Sequence, residues 1–173
     1  MTTAYDELFR IFAQIYFSDV PMGDRAASFD WLLLKAQGIA ESNLNPKAKS
    51  PVGAMGLMQL MPKTSAECAR ALYLPNIPWD PQTNIHFGAF YLKRMWSIFA
   101  AETGMERLRF AFGAYNAGAG NIIRAQRVAS ERRLRTDKWA SIVACLEKVT
   151  GRHAAETINY VSRIERIYAR LNK

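Results

Sequence analysis

Residues 31–42 read Trp-Leu-Leu-Leu-Lys-Ala-Gln-Gly-Ile-Ala-Glu-Ser, followed over 43–62 by Asn-Leu-Asn-Pro-Lys-Ala-Lys-Ser-Pro-Val-Gly-Ala-Met-Gly-Leu-Met-Gln-Leu-Met-Pro. The first stretch is apolar nearly all round at helical spacing, which predicts a buried helix capped by Ser28 or Asp30 and closing at Glu41-Ser42. The second carries Pro46, Pro51 and Gly53 among small and polar residues, which predicts a loop with room for a short hairpin. A buried helix that ends on a carboxylate and hands over to a glycine-rich loop sets the frame for the rest of the chain.

On either side the period stays helical. Tyr5, Leu8, Phe9, Phe12, Ile15 and Tyr16 form one apolar face, followed by a turn over Ser18–Arg25 with Pro21 and Gly23. Pro62 suits the first turn of a helix through Ala66, Ala69 and Leu72, and Asp80-Pro81 opens another through Ile85, Ala89, Leu92 and Trp96. Gly104 precedes a helix ending near Tyr115. Gly118 and Gly120 mark a turn before an Arg-rich helical stretch from Ile122 to about Arg135. Asp137 is the expected cap of a helix through Trp139, Ile142 and Leu146; Gly151 breaks it, and Ile158, Val161, Ile164, Ile167 and Leu171 stripe the last helix. The expectation is one mostly α domain over 1–173, with no internal repeat and at most a small β-hairpin.

Composition narrows the partners. With 23 Lys+Arg against 15 Asp+Glu the net charge is +8, which favours an anionic partner: nucleic acid, a membrane surface or an acidic cell-wall polymer. The Arg-rich stretch contains no aromatic, so nucleic acid is not expected. Trp31–Leu34 is far short of a bilayer span, so no transmembrane segment is expected. The acidic start, Tyr5-Asp6-Glu7, lacks the basic and apolar regions of a secretory signal. Cys68 and Cys145 read as buried free thiols, and with His86 and His153 alone beside them no structural metal and no cofactor are expected.

The chemistry centres on Glu41, the only carboxylate between Asp30 and Glu67. Apolar surroundings and the negative end of the helix dipole both disfavour its anion, so its pKa is expected to be raised, as a general acid requires. On position alone it equally reads as a solvated surface residue. Gly53 and Gly56 would let a ligand approach the backbone, and Gln59 offers amide donors and an acceptor to hydroxyls or an N-acetyl group. Met58 reads as core filler, although it lies close to Gly56 and beside Gln59. Tyr115-Asn116 before Gly118 puts a phenol and an amide at a helix end, where tyrosines are commonly packing residues. Glu156 and Tyr160, four apart on one helical face, read by themselves as a polar-edge pair.

Taken in order, Glu41-Ser42-Asn43-Leu44-Asn45-Pro46, Ser50, Gly53–Pro62, Asp80-Pro81 with Asn84-Ile85 and Tyr91-Leu92, Ala114–Gly118, and Glu156-Thr157 with Tyr160-Val161 closely resemble the soluble lytic transglycosylase (SLT) domain signature. That family belongs to the lysozyme-like superfamily and is related to goose-type lysozyme. The resemblance spans roughly residues 30 to 165. It implies a lysozyme-like, goose-type/SLT fold, with an N-terminal helix and turn over 1–28, catalytic core motifs over 29–123 and C-terminal helices over 124–173.

The resemblance further implies cleavage of the β-1,4 bond between N-acetylmuramic acid and N-acetylglucosamine in peptidoglycan glycan strands, leaving 1,6-anhydro-muramic acid ends. Glu41 would be general acid and then base. Ser42, Met58, Gln59, Tyr115 and Asn116 would bind substrate, with Tyr115 and Asn116 orienting Glu41 or the sugar. Ser50, Gly56, Glu156 and Tyr160 would support the site. Ser162 falls where many relatives carry proline. Two alternatives stand beside this: a goose-type hydrolase, needing a held water and a second carboxylate such as Glu67, Asp80 or Glu156, and a non-catalytic cell-wall binder. The expected setting is a monomer made in the cytoplasm without a signal peptide, acting on periplasmic peptidoglycan after a holin-type release or as a bacteriophage virion component; a secretion or conjugation role and a fragment of a longer protein are the other settings considered.

Overall fold

The computed structural model describes residues 4–19 and 29–173. Among them are eight α-helices, one 3-10 turn (Gly151–His153) and no β-strand. The helices are α1 Asp6–Phe17, α2 Trp31–Ser42, α3 Pro62–Leu72, α4 Pro81–Ile98, α5 Gly104–Ala117, α6 Ala119–Glu131, α7 Trp139–Thr150 and α8 Ala154–Leu171. The mostly α expectation holds. The turn expected over Ser18–Arg25 is seen at Ser18 and Asp19; its remainder, and Ser28, lie outside the described residues. No helix among the described residues is long and apolar enough to cross a membrane.

The described residues gather into two compact units. The first comprises residues up to Asp19, Phe29–Tyr91 and Ile164–Lys173; the second is Leu92–Arg163.

In the first unit α1 packs on α2. Phe9, Phe12, Ala13 and Phe17 are buried, whereas Ile15, expected on the same face, is exposed. The stripe is rotated because Phe17 stacks on Phe29, with ring centroids 4.1 Å apart. Gly38 lets the helices approach: a Cβ there would lie 2.8 Å from the Phe9 ring. Asp30 caps α2, accepting from the Leu32 N–H at 2.9 Å, and its other oxygen accepts from the Tyr168 hydroxyl at 3.0 Å. Lys35, in the middle of the apolar helix, is only 2% exposed and is neutralised by Asp6 of α1 at 2.8 Å. Taking a lysine out of water without an anion would cost several kcal/mol, and Asp6 of α1 supplies the countercharge.

The loop after α2 starts with Asn43 and Leu44 in the left-handed region. Two isolated antiparallel bridges, Lys49 with Met55 and Met55 with Leu60, are all that forms of the expected hairpin. Cys68 of α3 is buried.

In the second unit Leu108, Phe110 and Phe112 of α5 are buried, as are Ile122, Ala125 and Ala129 of α6 and Trp139, Ile142 and Leu146 of α7. Phe110 meets Trp139 edge to face at 5.9 Å. Gly113 makes room for that indole, since a Cβ would come within 2.5 Å of it. Two expectations are corrected here. The turn marked by Gly118 and Gly120 shrinks to Gly118 (φ 84°), and α6 already begins at Ala119. Asp137 does not cap α7: its carboxylate is held by Arg135 at 2.6 and 3.0 Å, and the first N–H of α7, that of Trp139, donates to Glu106 of α5 at 2.7 Å. Arg124, Arg127, Arg132, Arg133 and Arg135 are all exposed, and Cys145 is a buried free thiol.

Candidate active site

Glu41 stands in the last turn of α2, half-buried. The next residue fixes where that turn goes. The Ser42 hydroxyl donates to the Leu57 carbonyl at 2.8 Å, with the Gly38 carbonyl of its own helix further off at 3.3 Å. The Glu-Ser end of the helix is therefore fastened to the glycine-rich loop.

That loop is held from three directions. Ser50 closes a turn in which its Oγ accepts from the Ala54 N–H at 2.9 Å and its carbonyl accepts from Gly53 at 3.0 Å. Gly56 has φ 74° and touches the Asn84 amide, which a Cβ would approach to 2.5 Å; only glycine satisfies both demands. Asn84 is itself buried, in the first turn of α4. Its Oδ1 accepts from the Met58 N–H at 2.7 Å, and its Nδ2 donates to the Met55 carbonyl at 3.0 Å and the Pro78 carbonyl at 2.7 Å. Asp80 accepts from the Thr83 N–H and hydroxyl, both at 2.8 Å, and so serves as the expected cap of α4.

Gln59 is one of the few non-glycine residues with positive φ (45°). Its Nε2 donates to the Ala48 carbonyl at 3.1 Å and the Gly56 carbonyl at 2.9 Å, so both donors hold the loop and Oε1 is the atom left to meet a ligand. Met58 is 0% exposed, its side chain packed over Gly88, where a Cβ would lie 2.6 Å from its Cγ. Of its two readings, the structure places it in the packing beneath the loop.

The second unit holds the other predicted residues. Tyr115 and Asn116 end α5, both half-buried. The Thr157 hydroxyl, buried on α8, donates to Asn116 Oδ1 at 2.8 Å, which leaves the Asn116 amide N–H groups as donors. Tyr160 is buried one turn further along α8, and Glu156 is exposed, 4.0 Å from His153. Asn116, Asn121, Thr150, His153, Glu156 and Thr157 line a cavity of about 340 Å³ together with Ala117.

The structure thus groups Glu41, Ser42, Ser50, Gly56, Met58 and Gln59 in one unit, and Tyr115, Asn116, Glu156 and Tyr160 in the other. Asn84 and Thr157 were given no role from sequence. Both stand inside stretches that carry the resemblance, but an asparagine in a first helical turn and a threonine on a polar edge read locally as solvated residues. Among the described residues no three His, Cys, Asp or Glu side chains gather into a possible metal site.

Comparison with known proteins joins these clusters to a family. Residues 23–138 match the family described as the Transglycosylase SLT domain. Membrane-bound lytic murein transglycosylase F of Vibrio cholerae is 32% identical over 155 residues, 83% of this chain and 28% of that protein. The soluble lytic murein transglycosylase of Escherichia coli is 42% identical over 87 residues, 47% of this chain and 13% of that protein. Among solved structures, the 70 kDa soluble lytic transglycosylase of Escherichia coli superposes with a TM-score of 0.69 at 28% identity, covering 98% of this chain and 25% of its own. A lytic transglycosylase of Pseudomonas aeruginosa, solved as an inactive glutamate-to-glutamine mutant, gives 0.70 at 26% identity, covering 98% and 24%. The chain spans about a quarter of the length of these full-length relatives. It is a member of the transglycosylase SLT domain family, with the lysozyme-like α fold of that family.

Proposed function

We propose that this chain is a peptidoglycan lytic transglycosylase acting as a monomer on periplasmic glycan strands. The observation that carries the reading is Glu41 at the end of α2, fastened through Ser42 to the loop that holds Gln59. The inactive glutamine-for-glutamate mutant of the Pseudomonas relative supports the dependence on one carboxylate.

The protonated Glu41 gives its proton to the glycosidic oxygen as the C1–O bond breaks. The N-acetyl carbonyl of muramic acid stabilises the cationic carbon. Glu41, now a carboxylate, takes the C6 hydroxyl proton while that oxygen bonds to C1. The 1,6-anhydro ring is closed, Glu41 is protonated again, and no water is consumed. Gln59 Oε1 and the Ser42 oxygen face the sugar, Met58 backs the subsite from inside, Tyr115 and Asn116 bind sugar, and Ser50, Gly56, Glu156 and Tyr160 brace these groups. A hydrolase needs a second carboxylate, and engagement of Asp80 as the cap of α4 removes one candidate from that role.

Mass spectrometry of products released from purified peptidoglycan by the wild type and Glu41→Gln tests the reading. Anhydro-muramic ends from the wild type alone are expected. Products one water heavier would identify a hydrolase, and no products from the wild type would leave a binder.

A further inference from the structure

Between α3 and α4 the segment Tyr73-Leu74-Pro75-Asn76-Ile77-Pro78-Trp79 turns its large side chains outward: Tyr73 is 95% exposed and Trp79 45%, with Leu74 and Ile77 also exposed. Four exposed aromatic and aliphatic side chains thus fall within seven residues. Tyr73 is placed there by its backbone. It terminates α3 in the left-handed region (φ 55°, ψ 39°), its N–H donating to the Ala69 and Arg70 carbonyls, at a position that usually falls to glycine or asparagine. A tyrosine held in a disfavoured conformation with its ring in solvent contributes little to the fold, and such outliers gather at binding sites.

Beside it runs an open groove of about 690 Å³, within the size range of small-ligand sites. Tyr73, Leu74, Ala66 and Ala69 line it together with Lys63, Arg70 and Asn76. No carboxylate lines it, and neither cation is held in an ion pair among the described residues. The Asn76 amide is fixed in orientation, since Oδ1 accepts from the fully buried Ser65 hydroxyl at 2.7 Å; its N–H groups remain to donate. The groove therefore offers an aromatic face, an amide donor and two cations.

We propose that this groove is a second carbohydrate site that holds a glycan strand of the anionic cell-wall polymer, sharing no residue with the Glu41 cluster. Its chemistry fits that occupant. The C–H face of an N-acetylated pyranose packs on the Tyr73 ring, acetamido carbonyls accept from Asn76, and carboxylates of lactyl or stem-peptide groups pair with Arg70 and Lys63. The two cations without a lining carboxylate favour this anionic occupant over an apolar protein segment. The proposal rests on the reading that peptidoglycan is the substrate, and gives the domain a means of staying on the polymer between cleavages.

The test uses the full chain carrying Glu41→Gln, so that polymer is bound without being cut. Co-sedimentation with purified insoluble peptidoglycan is compared for this protein, for the same protein with Tyr73→Ala and Arg70→Ala, and for a charge control with Arg133→Ala. The groove pair should weaken binding by about tenfold, the loss typical of truncating an aromatic and an arginine anchor, and the control by less than about twofold. Equal losses in both, or undiminished retention in the groove pair, overturn the proposal. Thermal melts check folding. Should the pair fail to fold, amide NMR of the Glu41→Gln protein decides: a soluble disaccharide-peptide fragment should shift resonances of 63–76, and shifts confined to other residues, or a response there only to an apolar peptide, refute the site. Catalysis is read separately. A wild type that releases no products while retention still depends on Tyr73 sinks the enzyme reading and keeps the groove; products with retention independent of Tyr73 do the reverse.

Discussion

Replacing Asn84 by alanine should loosen the loop beside Glu41, and the size of the effect follows from what the amide now satisfies. Three hydrogen bonds are lost, but the groups left behind are not equivalent. The Met55 carbonyl keeps a second partner, the Leu60 N–H at 3.0 Å, so it stays satisfied. The Met58 N–H and the Pro78 carbonyl lose the Asn84 partner at 2.7 Å in each case. An orphaned buried group costs about 1–3 kcal/mol, so two give roughly 2–6, and a water entering the vacated space brings the expected loss to about 3 kcal/mol. Asn84→Asp should be at least as severe, because a carboxylate oxygen then faces two carbonyls. Urea unfolding followed by circular dichroism measures the loss, and the same preparations should release product from peptidoglycan more slowly than wild type even at temperatures where they remain folded. A loss under about 1 kcal/mol with unchanged product release would refute the view that Asn84 holds this loop.

Other perturbations read other parts of the molecule. Asp6→Asn removes the carboxylate paired with the buried Lys35 ammonium and should cost about 3–5 kcal/mol, while a paired Asp6→Leu, Lys35→Met change should recover much of it; thermal melts of the three proteins check this. Gly88→Ala drives a methyl into Met58 and should destabilise by about 1–3 kcal/mol, visible as a lower urea midpoint. Tyr16 and His86 form a neutral hydrogen-bonded pair at 2.5 Å, with the imidazole stacked on Phe12. Burial lowers the His86 pKa below 6.5, so the unfolded chain takes up a proton that the folded one refuses and stability should fall as pH drops below 6.5. Burial pushes Tyr16 up to about 12, followed by the effect of Cys68, so its contribution is intact below pH 10 and should be lost as pH rises from 10 towards 12. Urea midpoints of wild type and Tyr16→Phe across that range compare the two, and identical profiles would exclude the pair as the cause.

The helices were legible because their apolar spacing and their Asp30, Pro62 and Asp80-Pro81 starts are local signals, each decided within one or two turns. What escaped reading is long-range. The cap of α7 comes from Glu106, separated by most of two helices, while the nearby Asp137 is taken by Arg135. Lys35 has no local reason to sit in an apolar helix; its reason is Asp6 of α1 set against it. Met58 is decided by Gly88, thirty positions on, so the nearby Gly56 and the adjacent Gln59 are uninformative about where its side chain points. The candidate site divides the same way. Glu41, Ser42 and the glycine-rich loop were readable as an ordered motif. The donors that Gln59 keeps for its own loop, and the clamp that Asn84 applies, depend on backbone carbonyls with no sequence identity to read.

The Gln59 side chain has a directional consequence. Two carbonyls engage both amide hydrogens, so that the oxygen is left to accept, on a backbone itself held at φ 45°. A group arriving there is sorted by the sign of its dipole. An acetamido N–H, or a hydroxyl turned to donate, completes a bond. An ester oxygen in the same place meets lone pairs with lone pairs, and rotating the amide to receive it would break two bonds that shape the loop. If Gln59 meets the sugar as proposed, it would act as a fixed polarity gate, admitting donors and rejecting isosteres that have lost their hydrogen.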